Sequence, residues 1–556
     1  MINTLDDMLG LRTIDTTVCV IGSGAAGTTT ALALADAGVD VVLLEAGGRR
    51  ASTDEPLVGD LRGAPGHDSL ERVRQRRLGG TTAQWGGRCV PFDEVDLETR
   101  SWVPGSGWPV DRQVLLPWYR RAAEVLRLGD FAWTLRDAVP GSPALFSSGS
   151  GPLTDDQIWR WSPPVRFWPA FRERLVSSSR VRVVQDAPVL RLEQQEAGGP
   201  VTAAVVAAPS GQVLRVTARE YVVAAGGIET PRLLLASDDR QPGGIGNSGG
   251  ALGRHYMIHP LAEVASLRVE PGTDVRAAAD FVRSSDGVWV RRMLRLSDHA
   301  QRQHQLRNAA FALWYPDPRD PDHGDPLLSS FAVVRRALAS TGGFKATGVH
   351  RRYREGGQTT AHLRNIARGL PEVAVYGRRW VADRWLGDRT LPAFTAQPAT
   401  GTYRLRFDAE QSPEWSNRVA LSTERDAVGL RRVALHHRVG RDDRESLVRS
   451  LELVAAGIER SGRASVTLPP AEHLLDELVF GDGTHPMGTA RMSATPRTGV
   501  VDEHCRVHDC ANLHLAGSAV FPTAGVAGPT MTIVALALRL ADRLADHVLA
   551  GTTRRT

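Results

Sequence analysis

An α/β fold is predicted, on three observations. The run Val18-Cys-Val-Ile21 is short, continuous and apolar; Gly22-Ser-Gly24-Ala-Ala-Gly27 follows at once; and Thr28 to Ala37, rich in alanine and leucine, precedes a second apolar run from Val39 to Leu44 that ends at Glu45. Apolar runs of that length read as buried strands, and the alanine-leucine stretch as a helix. The order is therefore strand, tight turn, helix, strand. With only Gly38 and its neighbours to turn the chain, the two strands lie parallel in a right-handed β-α-β unit.

The G-x-G-x-x-G spacing has a mechanical reason. Gly22 makes the turn, Gly24 lets the backbone approach a pyrophosphate, and Gly27 lets the helix pack closely on its strand. The phosphate then sits at the helix N-terminus, where unpaired N–H groups and the positive dipole end favour negative charge. Glu45 stands at the end of the second strand, where it can accept hydrogen bonds from adenosine ribose hydroxyls. The unit reads as dinucleotide-binding, with contacts expected at Gly22, Gly24, Ala26, Gly27, Glu45 and Ala46. NAD and FAD use the same unit, so the choice must come from elsewhere.

The 556 residues, 42% hydrophobic and 23% charged, with 55 glycines, 33 prolines and 4 cysteines, exclude a disordered tail, a collagen-like repeat and a disulfide scaffold. That length is material for about three domains, or two large intertwined ones. The net charge is +5 and the basic residues are scattered arginines, Lys345 being the single lysine, so no nucleic-acid partner is expected. Cys505-Arg-Val-His508-Asp-Cys510 has no second cysteine pair, so no metal is expected either. Few cysteines point to a reducing compartment. The N-terminal stretch, with Asp6 and Asp7, lacks an apolar signal region, and the apolar stretch Met531 to Leu549 is broken by Arg539, Asp542 and Asp546. A cytoplasmic protein without membrane contact is expected.

Three distant segments carry the rest of the reading. The first is Arg77-Leu-Gly79-Gly80-Thr81-Thr82-Ala-Gln84-Trp85-Gly86-Gly87. The second runs from Tyr221 through Ala225-Gly226-Gly227 to Leu235. The third begins at His485-Pro486-Met-Gly488-Thr489 and continues through Ala516-Gly517-Ser518 to Gly528-Pro529-Thr530-Met-Thr532. Together they resemble the glucose-methanol-choline (GMC) oxidoreductases, a family of flavoproteins, and within it the sugar-oxidising branch of pyranose oxidases, C-glycoside oxidases and fructose dehydrogenase-like subunits. Gly253-Arg254-His255-Tyr-Met257-Ile-His259-Pro260 and Ser416-Asn-Arg418-Val-Ala-Leu421 add to the likeness, and only residues 265–400 match poorly.

The resemblance implies a discontinuous Rossmann-type FAD-binding domain over residues 1–100, 165–260 and 475–556. A substrate domain with a mostly antiparallel sheet would come from 101–164 and 261–474. It also implies flavin contacts at Gly79, Gly80, Thr81, Gln84, Trp85, Gly86, Val189, Ala225, Gly226, Gly517, Ser518, Pro529 and Thr530. Oxidising an alcohol by hydride transfer to flavin N5 requires a base within reach of the hydroxyl. His485 matches the family's catalytic histidine. The family's second catalytic residue, Asn or His, falls at Gly528, which has no side chain to donate to a developing alkoxide.

Gln84 stands where some pyranose oxidases carry a histidine bonded to the flavin, so FAD is expected to be non-covalent. Gly86 replaces a threonine of those enzymes, and with Gly528 it implies either room for a bulky substrate or space filled by neighbouring side chains. The resemblance implies a structural role for His255 and His259, which would face one side if that stretch is a strand and stand turns apart if it is a helix. The acidic segment from Asp317 to Pro326 is expected to be a solvated loop, or an anionic lip for an aminosugar. The expected activity is oxidation of a sugar, glycoside or aminosugar alcohol, with oxygen or an external compound as electron acceptor. The alternatives are a flavin-containing lyase on the same fold and a catalytically impaired flavin-binding protein.

Overall fold

The computed structural model describes residues 2–8, 10–50, 59–63, 65–147, 149, 151–207, 212–340, 358–481 and 483–553. Its largest sheet has eight strands drawn from both ends of the chain. Ile2–Thr4, Val181–Gln185, Val41–Leu44, Thr13–Ile21 and Val213–Val223 lie side by side in that order, all parallel. Val201–Ala207 and Val189–Gln194 extend the sheet antiparallel, and Leu513–Leu515 pairs in parallel with the far end of Val213–Val223. The first strand begins at Thr13, five residues before its apolar run. Residues 13–15 alternate exposed and buried and 16–17 are half-buried, residues 13–16 pairing with Arg215 to Ala218, and only from Val18 onward is every residue of the strand buried. The second strand is shorter than its apolar run, starting at Val41.

The helix Ala25–Asp36 covers one face, and the helix Thr530–Thr553 packs on it and on Arg112–Val125. Side-chain bonds fix the last contact: the Tyr119 and Thr532 hydroxyls lie 2.9 Å apart, and Asp542 accepts from Trp118 Nε1 at 2.8 Å and from Arg121. Among the described residues no helix is long and apolar enough to cross a membrane.

A second sheet of six strands is antiparallel throughout, in the order Ala464–Thr467, Leu261–Val269, Thr402–Ala409, Ala309–Trp314, Leu294–Leu296 and Leu153–Thr154. It has its own apolar core around Leu267, Phe311, Leu405, Phe407 and Leu451. This mixed α/β architecture, a mainly parallel sheet beside an antiparallel one, is the predicted fold class. The poorly matching region includes the helices Pro326–Ser340, Thr359–Arg368 and Leu370–Val381. The acidic segment before them is only partly solvated: Asp325 is buried, and its carboxylate accepts from the Leu327 and Leu328 N–H groups (2.8 and 2.9 Å) at the start of a helix. Lys345 lies outside the described residues.

Candidate functional site

The nucleotide end is built from glycines that do different work. Gly22 has φ 101°, and a Cβ there would meet the Ala224 carbonyl oxygen at 2.6 Å; a Cβ on Gly27 would lie 1.8 Å from the Gly22 oxygen. At both positions the protein itself leaves no room. Gly24 is the opposite case. A Cβ there would meet no atom within 4 Å, and Gly24 caps the helix Ala25–Asp36 without any side chain closing its N-terminus. Gly226 (φ 83°), Gly517 (φ 128°) and Gly86 likewise face open space. Ala225 caps the helix Gly226–Ala236, and Pro529 and Thr530 open the last helix. Ala26 is buried in the first turn behind Gly24.

Glu45 ties these loops together. One carboxylate oxygen accepts from the Ser23 N–H (3.0 Å) and hydroxyl (2.7 Å), and the other from the Gly47 N–H (2.9 Å) beyond Ala46. Burial pushes its carboxyl above the ordinary range, against the pull of those hydrogen bonds. The oxygen bonded to Gly47 keeps a second lone pair. The Ser23 hydroxyl oxygen in turn accepts from the Gly79 N–H at 3.0 Å, and a Cβ on Gly80 would sit 3.2 Å from the Gly24 Cα, so the two glycine loops touch. Val189 follows Ala187, whose N–H donates to the Glu45 carbonyl oxygen (2.8 Å). Thr81 and Gln84 are exposed, Gln84 donating to the Arg72 carbonyl (3.1 Å), and Trp85 Nε1 donates to the Val165 carbonyl (2.9 Å). A space backed by bare glycines and opening on an uncapped helix N-terminus fits the pyrophosphate of FAD.

The other end centres on His485. Met257 and Met487 exchange backbone hydrogen bonds of 3.1 and 3.0 Å in an antiparallel bridge, whose register puts His259 opposite His485. Pro486 is clamped from two sides. The Ser518 hydroxyl donates to its carbonyl oxygen at 2.8 Å, and a Cβ on Gly227 would come within 2.1 Å of that oxygen. His485 is thereby held half-buried, while His259 is 2% exposed.

The two imidazoles meet Nδ1 to Nδ1 at 3.0 Å, and His259 Nε2 lies 3.1 Å from the Ala524 carbonyl oxygen. These distances assign the protons. A carbonyl can only accept, so His259 Nε2 carries hydrogen; Nδ1 of the neutral ring is then the acceptor, and His485 Nδ1–H donates to it. The accepting nitrogen of His485 is therefore Nε2. Ala524 is fixed by its neighbour, since the Thr523 hydroxyl donates to the Asp96 carbonyl (2.7 Å) and accepts from Trp108 Nε1 (2.7 Å).

This part of the sequence reading needs correcting. His255 and His259 share no strand: His255 has φ 58°, its Nδ1 lies 2.7 Å from the Pro413 carbonyl, and burial, then the Arg491 charge, pushes its imidazole down to about 4. His259 alone reaches His485. No local signal showed this, because the pairing depends on a bridge between segments far apart in the chain.

Of the two readings left open for Gly528 and Gly86, the surroundings differ at each position: a Cβ on Gly528 would meet the Arg88 carbonyl oxygen at 3.2 Å and Arg88 Nε at 3.9 Å, whereas a Cβ on Gly86 would meet no atom within 4 Å. Arg88 Nη2 donates to Asp408 Oδ1 at 3.0 Å, and the guanidinium lies 4.3 Å from the centre of the Trp159 ring. Burial raises the Asp408 carboxyl, but Arg88, then Arg406 and the hydrogen bond, outweigh it and hold it below its ordinary value, with His259 also close enough to contribute.

Comparison with known proteins agrees with this geometry. Residues 413–537 match the model of the GMC oxidoreductase family, and residues 15–59 match an FAD binding domain. The chain is similar to the fructose dehydrogenase large subunit of Gluconobacter japonicus, at 26% identity over 66% of this chain and 55% of that protein. It is 25% identical to 6'''-hydroxyparomomycin C oxidase of Streptomyces lividus, over 96% of this chain and 92% of that one. In fold it resembles a fungal aryl-alcohol oxidase, with a TM-score of 0.52 at 16% identity, covering 96% of this chain and 99% of that one. With an FAD-binding segment that opens on bare glycines and His485 in its C-terminal segment, the chain carries a C-terminal domain of the GMC oxidoreductase type and is an FAD-dependent oxidoreductase.

Proposed function

We propose that this protein oxidises a hydroxyl group of a sugar, glycoside or aminosugar, with His485 as the base. The observation that carries the reading is the chain of contacts from the Ala524 carbonyl through His259 to His485. It makes Nε2 the accepting nitrogen of His485 before any substrate arrives, and it gives the proton taken up there a charge-assisted hydrogen bond on the far side of the ring. FAD, bound non-covalently along the glycine-backed space, supplies the acceptor for the hydride. Residues 1–100, 165–260 and 475–556 would bind it, and the six-stranded sheet with the remaining segments would face the substrate. The sugar class rests on the two curated relatives, one a fructose dehydrogenase and one an oxidase named for an aminoglycoside.

The test is anaerobic mixing of the purified protein with a panel of sugars, glycosides and simple alcohols, following flavin absorbance. Bleaching by a sugar or glycoside, slowed about 10²-fold or more in His485→Ala at unchanged FAD content, is expected. Absence of bleaching by every alcohol would leave a lyase or an impaired protein in its place. Colour that stays with acid-precipitated protein would show a covalent flavin.

A further inference from the structure

We infer that Arg88 is a catalytic residue of this site, its guanidinium donating hydrogen bonds to the substrate oxygen that His485 deprotonates. The inference deepens the reading of the site as one for alcohol oxidation and rests on it.

An alcohol that loses its O–H proton develops negative charge on oxygen, and a donor aimed at that charge is worth far more away from bulk water. Gly528 offers none. Arg88 comes from the short strand Arg88–Cys89 directly after the Gly86–Gly87 pair, and its Nε lies 3.9 Å from where a Gly528 Cβ would stand. Two further contacts aim the guanidinium. Asp408 takes Nη2 at 3.0 Å, and the Trp159 ring supports the planar group from one face at 4.3 Å.

The Arg88 side chain is 20% exposed against 6% for that of Asp408, and among the described residues its side-chain hydrogen bond is the one from Nη2 to Asp408, which leaves Nε and Nη1 as donors. A structural ion pair has no need of a half-buried arginine with uncommitted N–H groups. The place in the fold is also right. Asp408 lies opposite Leu261 in the six-stranded sheet, and Ala409 N–H donates to the Pro260 carbonyl at 3.0 Å, which sets the carboxylate partner of Arg88 next to His259. The partners of base and donor, His259 and Asp408, thus stand at the same end of the strand pair Leu261–Val269 and Thr402–Ala409.

The step balances as follows. The substrate O–H bond would break with its proton passing to His485 Nε2, and FAD held by the glycine loops would supply the acceptor for the hydride released as the C–H bond breaks and the carbon–oxygen double bond forms. Arg88 exchanges no proton. It holds the oxygen while its charge grows.

The experiment uses the FAD-loaded enzyme and two readouts. The first is anaerobic flavin reduction by D-glucose, D-fructose and methyl β-D-glucoside. The second is binding of acetate, a small anion whose oxygen mimics the alkoxide, titrated by perturbation of the flavin absorbance. Arg88→Met should keep its FAD, lose about 10²–10³ in reduction rate and bind acetate at least about 10-fold more weakly. Arg88→Lys should recover part of both, and added guanidinium ion should restore reduction in Arg88→Ala. Reduction within threefold of wild type, with unchanged acetate affinity, would overturn the inference. So would a rate loss that comes with loss of FAD and that neither lysine nor guanidinium repairs, since that marks a structural arginine. If no alcohol bleaches the wild type, the oxidation reading fails by itself, and acetate affinity in Arg88→Met still decides whether the guanidinium serves an anion there.

Discussion

Replacing His259 with phenylalanine is the sharpest probe of the site. The ring volume is nearly kept, so the buried position is filled, but both polar contacts go: the 3.0 Å bond from His485 Nδ1 and the 3.1 Å bond to the Ala524 carbonyl. When His485 takes a proton, the bond to His259 becomes charge-assisted, and bonds to charged groups contribute about 1.5–3 kcal/mol. At about 1.4 kcal/mol per tenfold in rate, its loss should slow flavin reduction about 10- to 150-fold. The range agrees with the usual cost of removing a group that orients a ligating or catalytic histidine. His259→Gln should recover part of the rate, because its amide oxygen can accept from His485 while its NH2 donates to Ala524. The assay is anaerobic stopped-flow at saturating alcohol, with FAD content measured from the absorbance ratio. A rate for His259→Phe within about twofold of wild type at normal FAD content would refute the reasoning.

Gly24→Val should fold normally and lack FAD, since its Cβ meets no protein atom within 4 Å, whereas Gly27→Ala should fail to fold around a 1.8 Å clash with the Gly22 oxygen; equal flavin content in wild type and Gly24→Val would mean that the pyrophosphate lies elsewhere. Gly528→Asn should slow reduction by large and small alcohols alike, because its Cβ would lie 3.2 Å from the Arg88 carbonyl oxygen and its amide would crowd the segment that carries the guanidinium; faster reduction would show that the glycine is a deficit. His437 is pushed down to about 3 by burial, then by the nearby His67, so the folded protein holds it neutral while the unfolded chain binds a proton near pH 6.5. Stability is therefore full above about pH 6.5 and falls as pH drops towards 3, by about 1.4 kcal/mol per unit for this group. His437→Gln, which keeps a donor for Gln411, should flatten the fall in melting temperature between pH 6.5 and 4; an unchanged slope would reject the assignment.

The sequence by itself determined the β-α-β unit, because everything that specifies it is local. Two apolar runs, a turn that only Gly22 can make and a helix that only Gly27 lets in fall within about thirty residues, and each requirement is written in the residue type. It also singled out His485 and the bare position at 528. The partners of those two residues were decided by the tertiary structure. His259 stands 226 residues before His485 in the chain and meets it only through the Met257–Met487 bridge, and Arg88 reaches the side of Gly528 from a two-residue strand. Strand register and the approach of distant loops are set by packing over the whole molecule, so neither periodicity nor spacing within a segment records them. For the same reason Asp325, read from its acidic neighbours as solvated, is a buried helix cap, since burial depends on the helix that follows it and on what that helix packs against.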